Sequence, residues 1–234
     1  MLQYHDLSAA SEGLDVIILC NPNNPTGTLL SPGELRMLHK NLAKRAGWLV
    51  IDESFIDAVP ELSMIGSEQK GLIVLRSLGK FFGLPGARVG FAHGTSDLLK
   101  SLEECLGPWH VNGPARWVAT QALSDKTWQE QARRQLDQQS ARLSGTLARA
   151  GFTASGGTVL FQWIVDPKAA QLHEFLARRG ILTRLFDSPV SIRIGLPADE
   201  KAWKRLVNGL TAFSQPLSNQ SEYFNPTASL PSIK

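Results

Sequence analysis

The sequence has few cysteines, no long apolar run and little excess charge of either sign. Two cysteines, Cys20 and Cys105, are too few for a disulfide framework and lack the spacing of metal ligands. The 24 basic and 21 acidic residues leave a net charge of +3 without runs of like charge, which gives no support for nucleic-acid binding. No apolar stretch reaches the roughly 20 residues of a membrane span, and the N-terminus does not resemble a signal peptide. We therefore expect a globular protein of the reducing cytoplasm, with no membrane or nucleic-acid partner and no bound metal.

The first part of the chain alternates short, fully apolar segments with loops and one helix. Buried strands are predicted at 16–20, 48–51 and 72–75, with a fourth at 89–92, because each segment is apolar without a break. Between the first two strands, the residues Ser-Pro-Gly-Glu at 31–34 have the pattern of a helix start with a capping box. Strand, helix and strand in this order indicate an α/β fold with a mostly parallel sheet.

The rest of the chain changes in character twice. The sequence predicts a partial large domain over 1–112, a long connecting helix over 113–150 and a small α+β domain over 151–213. Residues 214–234 are rich in Ser, Asn and Pro without periodicity, and we expect them to form a disordered tail.

Four groups of polar residues follow or interrupt the apolar strands. The loop Asn-Pro-Asn-Asn-Pro-Thr-Gly at 21–27 follows the first strand, and Asp52 ends the second. Residues 77–90 place Ser77 three positions before Lys80 and Arg88 eight positions after it, with glycines between. Arg193 interrupts a late apolar strand, where it needs solvent or an anion as a partner. Each group alone has an ordinary explanation as a turn, a loop or an exposed strand position.

In this order, however, the four groups resemble the class I and II aminotransferases, which are fold-type I pyridoxal-phosphate enzymes. The resemblance implies that Lys80 carries the cofactor and that Asp52 pairs with its protonated pyridine nitrogen. It further implies that Asn24 donates to the phenolic oxygen of the cofactor and that Ser77 and Arg88 bind its phosphate.

Other segments resemble one branch of this superfamily. Phe55, expected beside the cofactor, stands where aminotransferases have a tyrosine, and 108–112, 180–184 and 193–197 resemble the threonine-phosphate decarboxylases of cobalamin biosynthesis. That likeness implies decarboxylation of L-threonine O-3-phosphate to (R)-1-amino-2-propanol phosphate. The resemblance assigns the substrate carboxylate to Arg193, with Asn24 and Arg184 as further substrate ligands. An aminotransferase of the histidinol-phosphate type remains the alternative.

The resemblance also raises a question about the start of the chain. Members of the superfamily carry a long segment before the Asn-Pro-Thr-Gly loop. It contains a glycine-rich turn with a helix N-terminus for the cofactor phosphate, and an aromatic residue that stacks on the ring. We expect the present chain to lack these parts, so that it is an incomplete large domain, one half of a split enzyme or an inactive fragment. A complete enzyme would be a homodimer.

Overall fold

A computed structural model describes Leu7, Ala9 and residues 11–215, and its first unit is a four-stranded sheet in the order β1-β2-β3-β4. The strands are β1 (Val16–Cys20), β2 (Trp48–Asp52), β3 (Leu72–Ser77) and β4 (Gly90–His93). The first three are parallel and β4 runs antiparallel to β3, which confirms the predicted mostly parallel sheet.

Helix α1 (Pro32–Ala43) covers one face of this sheet. The predicted capping box is present: the Glu34 backbone N–H donates to Ser31 Oγ over 3.3 Å, and the Ser31 N–H donates to Glu34 Oε2 over 2.7 Å. The helix and the sheet bury a common apolar core, formed by Leu35, Leu38, Leu42, Leu49, Ile51, Leu72 and Val74.

The opposite face of the sheet is apolar and open. On this face Val16 is 49%, Ile18 73% and Leu75 37% exposed. Asp52 is the register partner of Leu75, so its side chain lies on the same face, at the carboxyl end of the parallel strands. The candidate site therefore borders an exposed apolar surface.

Three helices follow the sheet: α2 (Ser96–Leu106), α3 (Gly113–Ser124) and α4 (Lys126–Arg149). The prediction of one long helix over 113–150 is wrong, because the chain breaks at Asp125. The Asp125 side chain accepts a hydrogen bond from the Trp128 backbone N–H over 2.9 Å and so caps α4. The Asp125 backbone N–H donates to the carbonyl of Gln121 over 3.1 Å, which is the last hydrogen bond of α3.

The last unit is an antiparallel sheet in the order β5-β6-β8-β7, covered by two helices. Its elements are β5 (Gly156–Thr158), β6 (Phe161–Val165), α5 (Ala169–Ala177), β7 (Arg184–Asp187), β8 (Val190–Gly195) and α6 (Glu200–Phe213). Leu143 and Leu147 of α4 lie in the same core as Trp203 and Leu206 of α6, so α4 reaches from the first unit into the second. This mixture agrees with the predicted α+β character, while the predicted tail lies outside the described residues from 216 onward.

Two features are absent from residues 11–215 and from the two described residues before them. No helix in that part of the chain is long and apolar enough to cross a membrane. No cluster of His, Cys, Asp and Glu side chains there is arranged to hold a metal ion.

Candidate active site

The loop after β1 is closed by the side chain of Asn21, which is fully buried. Its Nδ2 donates to the carbonyl of Leu30 over 3.0 Å, and the Leu30 N–H donates back to its Oδ1 over 2.8 Å. Inside the loop, Asn23 Oδ1 accepts a hydrogen bond from Thr26 Oγ1 over 2.9 Å. Hydrogen bonds of Asn21 and Asn23 therefore stabilise the loop from within. Asn24 is exposed.

Gly27 brings this loop against the small sheet. Its φ of +74° lies in the left-handed region, and a Cβ there would lie 1.8 Å from the carbonyl oxygen of Gly157. The Gly157 N–H donates to the carbonyl of Thr26 over 3.1 Å. Two glycines thus allow the loop of the first unit to touch β5 of the second.

Asp52 ends β2 beside Cys20, its register partner on β1. Its Oδ1 accepts two hydrogen bonds from Ser54, one from the backbone N–H over 2.9 Å and one from Oγ over 2.5 Å. Both of these bonds go to one carboxylate oxygen, and neither of them engages Oδ2.

The pKa of the Cys20 thiol depends on the charges of two predicted site residues. Burial raises the pKa of the Cys20 thiol to about 11, and the nearby Asp52 carboxylate adds to this rise. The charge of Lys80 acts in the opposite direction on the same thiol. The charges of Asp52 and Lys80 therefore both act on Cys20, at the carboxyl end of the sheet.

Lys80 is exposed, and its Nζ lies 5.6 Å from the centroid of the Phe55 ring. Phe55 is buried and meets Phe161 of β6 edge to face, with 5.5 Å between ring centroids. An amine in a cation–π contact with an aromatic ring keeps a defined position without losing access to solvent.

Arg193 connects the small sheet to the loop after β1. Its Nη1 donates to Oδ1 of Asn24, and its guanidinium carbon lies 5.0 Å from the centroid of the Phe161 ring. Arg184 is the register partner of Arg193 on β7, so both arginines project from the same side of the sheet. Burial lowers the pKa of Arg193 and the like charge of Arg184 lowers it further, which is the electrostatic signature of a place that favours an anion.

Ser77 precedes Lys80 by three residues, and Arg88 follows it by eight. Ser77 Oγ accepts the N–H of Gly79 over 3.1 Å, and Arg88 donates to the carbonyl of Pro85 over 3.3 Å. Arg88 itself is exposed with a left-handed φ of 53°. Within the described residues, no hydrogen bond or ion pair joins Arg88 to the other predicted site residues, so its place at a phosphate stays a prediction.

A buried ionic cluster directly follows Asp52. Glu53 is fully buried; its Oε1 accepts the Met64 N–H over 2.7 Å, and the Arg76 guanidinium lies 3.6 Å from its Oε2. Arg76 also forms an ion pair with Asp57, which is 4% exposed. Burial raises the pKa of both carboxyls, while Arg76 opposes this effect. The cluster fixes the loop that carries Asp52 and Phe55.

The structure thus brings together Asn24, Asp52, Phe55, Lys80 and Arg193, which are far apart in the sequence. Sequence reasoning missed Phe161 and Cys20. Phe161 gives no signal beyond an apolar strand, and Cys20 gives none beyond its place at the end of one. The pair Gly156-Gly157 was a usable signal, because glycine inside a strand often marks a close approach of another backbone.

Comparison with known proteins agrees with this geometry. The sequence profile of the family described as aminotransferase class I and II matches residues 3–210, so the chain belongs to that family. The predicted family and the predicted fold are therefore confirmed.

Within this family, the chain is similar to threonine-phosphate decarboxylases. A threonine-phosphate decarboxylase of Pseudomonas aeruginosa is 54% identical over 88% of this chain and 62% of its own length. A threonine-phosphate decarboxylase of a Sinorhizobium species is 41% identical over 88% of this chain and 61% of its own length. The histidinol-phosphate aminotransferase of Sinorhizobium meliloti, solved in complex with pyridoxal-5'-phosphate, has the same fold with a TM-score of 0.80. At 22% identity it covers 91% of this chain and 61% of its own. The chain thus spans a little over three fifths of the length of these relatives.

Proposed function

We propose that this chain is part of a pyridoxal-phosphate-dependent lyase that decarboxylates L-threonine O-3-phosphate to (R)-1-amino-2-propanol phosphate, a reaction of cobalamin biosynthesis. The observation that carries the proposal is the 54% identity to a threonine-phosphate decarboxylase over 88% of the chain. The reaction replaces the carboxylate on Cα by a proton and releases carbon dioxide.

The residues of the site fit pyridoxal phosphate chemically. A carboxylate (Asp52), a primary amine (Lys80) and an amide (Asn24) meet at one edge of the sheet, next to the ring of Phe55. Asn24 Oδ1 accepts from Arg193, so its amide nitrogen is the atom left to donate to a phenolic oxygen. Ser77 and Arg88 supply a hydroxyl and a guanidinium for a phosphate group.

Each side chain then has a distinct task. Bound pyridoxal phosphate supplies an electron sink for the bonds at the substrate Cα. Asp52 would hold a proton on the pyridine nitrogen through a charge-assisted hydrogen bond, and Ser54 fixes the orientation of this carboxylate. Lys80 would hold the cofactor through its Nζ, and its amine would supply the proton that replaces the lost carboxylate.

Two features bear on the choice between loss of carbon dioxide and loss of the Cα proton. Phe55 has no hydroxyl to offer the phenolic oxygen, where aminotransferases have a tyrosine. Arg193 and Arg184 form a paired cationic surface that binds the negative groups of a phosphorylated amino acid. Held there, the substrate is oriented about Cα, and the orientation decides which bond overlaps the electron sink.

The direct test measures carbon dioxide release from L-threonine O-3-phosphate and 2-oxoglutarate-dependent amino transfer on one sample of the complete enzyme. We expect carbon dioxide release without transfer. Transfer from histidinol phosphate without carbon dioxide would assign the site to an aminotransferase. Absence of both activities, with cofactor bound, would indicate an inactive fragment.

We further propose that the complete enzyme is a cytoplasmic homodimer acting on a phosphorylated amino acid. The family resemblance supports this assembly, and light scattering after size exclusion tests it. A monomeric mass for the active enzyme would contradict it.

A further inference from the structure

Helix α4 contacts both loops that carry the candidate site. Arg133 Nε donates to the backbone carbonyl of Asp57 over 2.9 Å. The Arg133 guanidinium carbon also lies 5.4 Å from the centroid of the Phe81 ring. Asp57 lies five residues after Asp52, and Phe81 directly follows Lys80. We propose that Arg133 is a positioning residue that sets the separation of the Asp52 loop from the Lys80 loop, an inference that rests on the proposed function.

The first loop is short and stiff between Asp52 and Asp57. The Ile56 N–H donates to the carbonyl of Glu53 over 3.1 Å, and residues Ile56–Ala58 form a 3₁₀ turn. Arg76 of β3 holds the side chain of Asp57, so Arg133 is needed only for the carbonyl. Because a turn hydrogen bond and an ion pair stiffen the segment between the two aspartates, we expect a displacement of Asp57 to reach Asp52.

The second loop is held through its aromatic residues. Phe81 is buried and meets Trp128 of α4 at 5.6 Å between ring centroids, while Phe82 stacks on Trp128 at 5.8 Å. Arg133 lies on the same helix, five residues after Trp128. Helix α4 therefore contacts the segment next to Lys80 through the ring of Trp128 and the guanidinium of Arg133.

These contacts form a closed ring of residues that connects the Asp52 loop to the Lys80 loop. Arg133 touches Asp57 and Phe81; Phe81 adjoins Lys80; and Lys80 Nζ lies 5.6 Å from the ring of Phe55, two residues before Asp57. Because the contacts of this ring connect the two loops, we expect the removal of one member to loosen both loops rather than one. That is the property that distinguishes positioning from local packing.

The experiment compares Arg133→Gln, Arg133→Lys and the control Arg134→Gln in the full protein, Arg134 being exposed on the same helix. Hydrogen exchange is measured without cofactor, and the dissociation constant of pyridoxal phosphate is then measured separately. Loss of a charge-assisted hydrogen bond predicts about tenfold faster exchange at both 53–58 and 79–84 in Arg133→Gln. The dissociation constant rises by about the same factor, Arg133→Lys recovers part of both effects, and Arg134→Gln changes neither.

Other outcomes overturn the inference. Faster exchange confined to α4, or to one loop, would show that Arg133 is merely a packing residue. Wild-type affinity in Arg133→Gln, or no recovery in Arg133→Lys, would remove its link to the cofactor. If Arg133→Gln does not fold, Phe81→Leu takes its place: it removes the ring against Arg133 and must speed exchange at both 53–58 and 79–84, or Arg133 does not join the two loops. If the wild type does not bind pyridoxal phosphate, the proposed function fails, while the exchange data still decide whether Arg133 joins the loops.

Discussion

Arg193 donates a hydrogen bond to the side-chain oxygen of Asn24, a residue 169 positions earlier in the chain. The bond connects the antiparallel small sheet to the loop after the first parallel strand. It also orients the Asn24 amide, because the oxygen is engaged and the nitrogen is left to donate. The candidate site is therefore assembled from both units of the fold.

Replacement of Lys80 tests the cofactor anchor. Lys80→Ala should lose all cofactor that borohydride can trap on the protein, because the amine that forms the bond is gone. Lys100→Ala is the matched control, since Lys100 is an exposed lysine of α2. Mass spectrometry of the reduced protein locates the modified peptide. Trapped cofactor in Lys80→Ala would assign the anchor to another lysine.

Replacement of Asp52 tests the electron sink. In the complete enzyme, Asp52→Ala should lower kcat on the order of 10²–10³-fold, since it removes the charge paired with the pyridine nitrogen. Ser54→Ala removes the hydroxyl that donates to this carboxylate but keeps the backbone N–H bond, and it should have a smaller effect in the same direction. Near-normal turnover in Asp52→Ala, with the fold intact by circular dichroism, would leave Asp52 a structural role only.

Gly27 tests the contact between loop and small sheet. Gly27→Ala places a Cβ on a left-handed residue against the Gly157 carbonyl and should lower the free energy of unfolding by about 1–3 kcal/mol. Gly33→Ala is the control, because that glycine lies in the first turn of α1 with only Ser31 Oγ nearby, at 3.7 Å. It should be neutral or stabilising by up to about 1 kcal/mol. Urea unfolding measures both; equal stabilities would mean that the loop does not dock on Gly157.

The open face of the first sheet predicts how residues 1–234 behave when expressed alone. Because Val16, Ile18 and Leu75 are exposed on one face, the chain should bind a hydrophobic dye and aggregate. Ile18→Ser should reduce dye binding more than Met37→Ser, although Met37 of α1 is also 58% exposed. One cooperative thermal transition without dye binding would contradict this expectation.

Much of the fold could be predicted from residues close together in the sequence. Unbroken apolar segments at 16–20, 48–51 and 72–75 specify strands, although Val16, Ile18 and Leu75 are exposed rather than buried as predicted. The pattern at 31–34 specifies the start of α1. These features depend on backbone preferences and periodicity, which a few neighbouring residues express on their own. The chemical types at Asn24, Asp52 and Lys80 were visible in the same way, through the spacing of their motifs.

Other features depend on packing between distant segments. The break at Asp125 has a local cap, but it is hidden in a sequence that is otherwise helical on both sides. The meeting of Phe55 with Phe161 and the approach of Gly27 to Gly157 join segments that carry no shared pattern. Their distances are set by how the small sheet packs on the loop after β1, and such packing arises from the whole of both surfaces. For this reason the residue types at the site could be read from the chain, whereas their arrangement around one space required the folded molecule.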